Sequence, residues 1–67
     1  MAKDKIKRAI KKACGSLPEG YQIVIRLENG SACVELETPD EVLYFSNKGD
    51  IAADIQNTLD EAIEYSK

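Results

Sequence analysis

Apolar and polar positions recur along this chain with two different periods, and the switches between them divide it into five segments. From Met1 to Cys14, the apolar residues Ala2, Ile6, Ala9, Ile10, Ala13 and Cys14 recur at helical spacing, which predicts an amphipathic helix. Lys3, Lys5, Lys7, Arg8, Lys11 and Lys12 fill its other side. Gly15 is placed to stop that helix. Ser16-Leu17-Pro18-Glu19-Gly20 then reads as a loop, with Leu17 closing the bottom of the core.

From Tyr21 the period falls to two. Tyr21, Ile23, Ile25 and Leu27 alternate with Gln22, Val24, Arg26 and Glu28, and Ala32, Val34 and Leu36 alternate with Ser31, Cys33, Glu35 and Glu37. Asn29-Gly30 between them is a strong hairpin signal, with both turn positions expected at positive φ. A two-residue loop there pairs Glu28 with Ser31, Leu27 with Ala32, Ile25 with Val34 and Ile23 with Leu36. Apolar residues then meet apolar residues, and a slip by one would turn them to water. Thr38-Pro39-Asp40-Glu41 reads as a turn with Pro at its second position. Val42-Leu43-Tyr44-Phe45 predicts a third strand. With Pro39-Asp40 as the loop, Leu36 opposes Leu43 and Val34 opposes Phe45.

The last segment, Lys48 to Tyr65, returns to helical spacing through Ile51, Ala52, Ile55, Leu59, Ala62 and Ile63. Ser46 or Asn47 is the expected cap. Asp50, Asp54, Asn57, Glu61 and Glu64 lie on the other face, with Asp60 beside them. The order is α-β-β-β-α. A three-stranded antiparallel meander with one apolar face, and two amphipathic helices to cover it, predict a two-layer α+β domain spanning residues 1–67. The expected core is Ile6, Ile10, Leu17, Ile23, Ile25, Leu27, Val34, Leu36, Leu43, Phe45, Ile51, Ile55, Leu59 and Ile63.

Composition changes this picture in a few places. A chain of 67 residues allows one domain, and 43% hydrophobic content is enough for it to fold. Net stability at this size is typically about 3–5 kcal/mol. No apolar run approaches the roughly 20 residues of a membrane helix, and no signal-peptide stretch follows the cationic start. The expectation is a cytoplasmic protein with no membrane contact. Cys14 and Cys33 are too few for a disulfide scaffold or a zinc site and read as reduced thiols, Cys14 in the core.

The chain has no His, so a Ser-His or Cys-His pair is excluded. Cys33 projects from the open face of the sheet beside Arg26, which alone is a weak sign of reactivity. The carboxylate pairs Glu35 with Glu37 and Asp50 with Asp54 fall on faces expected to be solvated. A domain this thin leaves little room for a substrate pocket. No enzyme, no cofactor, no metal and no small-molecule substrate are expected.

Charge is divided unevenly. Residues 1–14 carry six Lys+Arg and one Asp, a net of +5, while the remainder carries three Lys+Arg and 11 Asp+Glu, a net of -8. The basic helix, through Lys5, Lys7, Arg8, Lys11 and Lys12, is a candidate phosphate-binding face. The element order is also that of double-stranded RNA-binding domains. The features marking that family are a longer first loop and a Lys-rich start to the last helix. Here the loop is only Asn29-Gly30 and the last helix opens with the single Lys48, so no site residue is carried over.

On the open sheet face, Val24, Cys33, Val42 and Tyr44 are more apolar than a solvated face requires. With Asp54 and Glu61 of the acidic last helix, they are the expected protein contact. The reading is a small non-catalytic interaction module, an accessory or inhibitor protein of a bacterium or phage, that binds another protein or forms a weak homodimer. The alternative is a weak nucleic-acid binder that uses the basic helix.

Overall fold

The computed structural model describes residues 2–67; Met1 and the side chains of Ala2 and Lys3 lie outside the described residues. The elements run α1 (Ala2–Ser16), β1 (Gln22–Glu28), β2 (Ser31–Glu37), β3 (Val42–Ser46) and α2 (Ile51–Tyr65). The strands form one antiparallel sheet in the order β1-β2-β3, with both helices on one side of it, a two-layer α+β domain.

The β1–β2 register is the expected one throughout, from Gln22 opposite Glu37 to Glu28 opposite Ser31. The turn differs in one respect. Gly30 has φ of 84°, but among the described residues none other than glycine has positive φ. Positive φ at the second turn position alone matches a type II turn and excludes the I′ turn, which needs it at both.

The β2–β3 pairing starts as expected, with Thr38 N–H donating to Glu41 C=O (2.9 Å) around Pro39-Asp40 and Glu37 opposite Val42, and is shifted by one residue beyond that pair. Val34 opposes Ser46 and Leu36 opposes Tyr44, with an irregularity at Leu36/Glu37 that leaves Leu43 as an extra residue in β3. The Thr38 hydroxyl accepts from the N–H groups of Asp40 and Glu41 (3.3 and 3.2 Å), which reinforces that two-residue turn, so the shift arises at the bulge and not in the loop. Ser46 is buried, and its hydroxyl donates to Asp54 Oδ1 at 2.6 Å. The slip exchanges the faces of two aromatic residues. Tyr44 points toward the helices, opposite buried Leu36, while Phe45 faces away, opposite Glu35, and is 60% exposed.

Both helix ends depart from expectation. Gly15 does not stop α1, which runs to Ser16, and Leu17 N–H still donates to Ala13 C=O. The cap of α2 is Asp50 rather than Ser46 or Asn47. Its carboxylate accepts from the N–H groups of Ala52 and Ala53 (3.1 and 3.3 Å), so the helix starts at Ile51 and not Lys48. Asp54, expected on the solvated ridge, is fully buried under the start of α2. Its Oδ1 takes the Ser46 hydroxyl and the Lys48 N–H (3.0 Å), while Oδ2 has no partner among the described residues. A carboxylate in the first turn interacts favourably with the helix dipole, which helps offset its burial.

The core is smaller than its apolar positions suggest. Val34, Leu36, Ile55, Leu59 and Ala62 are buried, and Tyr65 of α2 donates through its hydroxyl to Leu43 C=O (3.2 Å). The helix α2 packs on all three strands, whereas the backbone of α1 approaches α2 alone among the described residues. The N-terminal helix enters the core through Ala13, which clusters with Val34 and Ile55. Of the expected core residues, Ile10, Ile25, Leu27, Phe45 and Ile63 are exposed, and so is Cys14.

Candidate functional site

Ile25 and Leu27 share a face with Val34 and Ala32, their cross-strand partners, so their side chains point to the helix side of the sheet. Neither is fully covered by a helix. Because α1 leans on α2 and stands away from β1, a groove of about 150 Å³ opens between them. Ile10, Ala13 and Cys14 of α1 form one wall with Leu17 after it, Ile23 and Ile25 of β1 form the other, and Ile55 of α2 lies at the base. Ile10 is 43% exposed and Ile25 40%; Leu27, next along the same face of β1, is 74% exposed. The groove is smaller than the roughly 300–1,000 Å³ of small-molecule sites, and its lining is almost wholly apolar. It suits apolar side chains entering from outside.

The rim of α1 is cationic. Lys5, Lys7, Arg8, Lys11 and Lys12 are all exposed, and none forms an ion pair among the described residues. Helical spacing sets Lys7 and Lys11 beside Ile10 and Cys14, on the groove side. Lys7 and Lys11 also line a shallow depression of about 260 Å³ with Asp4 and Arg8, and Lys5, Arg8 and Lys12 line another of about 360 Å³ with Asp50 and Gln56 at the start of α2.

The open face of the sheet is different in character from the one expected. Val24 and Cys33 are half-buried there, and Val42 is exposed. Tyr44 is absent from that face, Phe45 stands in its place, and Asp54 is buried, so neither Tyr44 nor Asp54 can serve as an exposed contact there. Glu61 is half-buried on α2. An ion cluster interrupts the apolar residues. Arg26 Nε donates to Glu35 Oε1 at 2.9 Å, and its Nη2 lies 3.8 Å from Glu37 Oε2. The Arg26 hydrogen bond holds Glu35 below the ordinary carboxylate range, and a hydrogen bond shared with Glu35 pushes Glu37 up. Arg26 is thereby committed to carboxylates rather than to the Cys33 thiol.

The structure therefore brings together residues that periodicity had assigned to the core. The sequence carries a partial signal for this. Leu27 lies next to the turn and opposite alanine, where a hairpin tip runs past its cover. Nothing in the spacing signals that α1 stands off the sheet. Comparison with protein-family models, curated proteins and solved structures finds no match.

Proposed function

We propose that this chain is a non-catalytic protein-interaction module whose contact surface is the groove between α1 and β1. One observation carries the reading: Ile10, Ile25 and Leu27 stand exposed together on the face that otherwise forms the core. Fully burying one such side chain is worth about 1.5–3 kcal/mol. Covering three partly exposed ones offers a partner a few kcal/mol, on the order of the domain's own stability. The open face is the weaker candidate, because a bound partner would have to desolvate the Arg26–Glu35–Glu37 cluster. No helix among the described residues is long and apolar enough to cross a membrane. The two unpaired thiols favour action in the reducing cytoplasm. An accessory or inhibitor role fits a chain that supplies a surface and no chemistry.

The test is affinity capture from cells of the source organism with three baits: wild type, Leu27→Glu and Phe45→Glu. Loss of a bound protein with Leu27→Glu alone is the expected result. Retention of every captured protein by that bait would overturn the reading.

The nucleic-acid reading is favoured by a separate observation, the unpaired Lys5, Arg8 and Lys12 around one depression. It predicts binding that weakens steeply between about 50 and 200 mM salt. It also predicts loss of that binding when Lys7, Arg8, Lys11 and Lys12 are replaced by Gln.

A further inference from the structure

The groove has a length, a shape and a charge, and together they describe its occupant. On β1 the apolar face is exposed at Ile25 and Leu27, about 7 Å apart along the strand, while Ile23 packs against the core. A helix rises about 5.4 Å per turn, so two turns span that stretch. Packed helices lie about 8–10 Å apart, so a third helix beside α1 would lie over Ile25 and Leu27 and complete the layer that α2 leaves short. Such a helix would run along the Lys7 and Lys11 side of α1, within a segment of net charge +5.

A second copy of this chain is disfavoured as the occupant. Joined β1 to β1 about a two-fold axis, each copy would bring its own basic α1 to the same side of the combined sheet. Like charges would then face one another across the groove. The acidic helix α2 cannot be lent to a neighbour, because its apolar face is already buried against its own sheet.

From this we infer that the groove accepts an acidic amphipathic helix of a partner protein, of two turns or more. Its apolar stripe rests on Ile10, Ile25 and Leu27, and its Glu or Asp residues face Lys7 and Lys11. The inference rests on the reading of the groove as a protein contact. It goes further by fixing the partner's secondary structure and charge.

The experiment is selection from a displayed library of random 16-residue peptides against the folded full-length protein, with counter-selection on Leu27→Glu. Both Leu27 and the two lysines are exposed, so their variants should fold, which circular dichroism of each verifies. The expected winners carry apolar residues at three- and four-residue spacing and a net negative charge. They should gain helicity on binding, and bind about tenfold more weakly to Lys7→Glu/Lys11→Glu, the loss typical of a contact residue that matters. Winners that alternate with a period of two would mean strand addition at the β1 edge. Neutral or basic winners, or binding indifferent to the lysine reversal, would remove the charge argument. Either result overturns the inference while leaving a Leu27-dependent contact in place. Selection of the same peptides by wild type and Leu27→Glu would overturn the contact reading as well. If no peptide is enriched and sedimentation shows self-association that Leu27→Glu abolishes, the occupant is a second copy and the inference fails.

Discussion

Ile25 and Val34 are direct cross-strand partners on the same face of the same sheet, yet Val34 is fully buried and Ile25 is not. The contrast extends along both strands. On β2, Val34 and Leu36 lie under α2; on β1, Ile25 is only partly covered, at the edge of the groove, and Leu27 is 74% exposed. The alternation that builds the two strands is the same, so the difference comes from the cover. A helix is about 10 Å across and strands are about 4.8 Å apart, so α2 shields about two strands. The third depends on α1, which reaches the groove with Ile10, Ala13 and Cys14 and rests on α2 instead. Periodicity specifies which side of a strand is apolar. The reach of the covering helix decides whether that side becomes core or contact surface.

The largest effect should come from truncating the covered side. Leu36→Ala removes a fully buried side chain and should cost about 3 kcal/mol, comparable to the whole stability of a domain this small. Leu27→Ala, the same change on the uncovered strand, should shift stability by less than about 0.5 kcal/mol. Urea unfolding of the two variants measures the contrast. Equal losses would mean that β1 is covered in solution and that the groove is closed.

Next in size is the buried polar anchor that sets the β3 register. Asp54→Ala leaves the Ser46 hydroxyl and the Lys48 N–H without their shared acceptor, and should cost about 2 kcal/mol. Asp50→Ala removes only the exposed cap of α2 and should cost about 1 kcal/mol. Chemical denaturation ranks the two. A loss for Asp54→Ala no greater than for Asp50→Ala would show that the buried bonds do not hold the third strand in place.

These residues mark where the sequence was legible. The hairpin register followed from the apolar match around Asn29-Gly30, and the element order from the change of period. The third strand did not follow, because its register depends on a hydrogen bond between Ser46 and Asp54, eight residues apart and both polar. Read alone, Ser46 is a cap and Asp54 a surface charge. Their burial together turns Phe45 outward and Tyr44 inward. The candidate site was hidden for a related reason. Ile10, Ile25 and Leu27 have the spacing of core residues, and only the placement of α1 exposes them.

The smallest effect belongs to the open face, and it concerns pH. Glu35 is held below its ordinary value, chiefly by the Arg26 hydrogen bond, so its contribution is present above the unfolded value and is lost as pH falls through its folded value. Glu37 is raised, chiefly by the hydrogen bond with Glu35, so its contribution has the opposite sign. That contribution is full below the unfolded value and disappears as pH rises through the folded one. The two contributions overlap near the unperturbed Glu value of about 4.3. This cluster should therefore give a shallow local maximum of stability in mild acid. Both side chains reach solvent, so the maximum should flatten in high salt. Glu37→Gln should leave only the acid loss due to Glu35, and Arg26→Gln should weaken both limbs. Thermal unfolding between about pH 3 and 7 reads the profile. Carboxyl chemical shifts should show Glu37 taking up its proton before Glu35 as pH falls. The reverse order, or a Glu37→Gln profile matching wild type, would mean that the two carboxylates titrate independently.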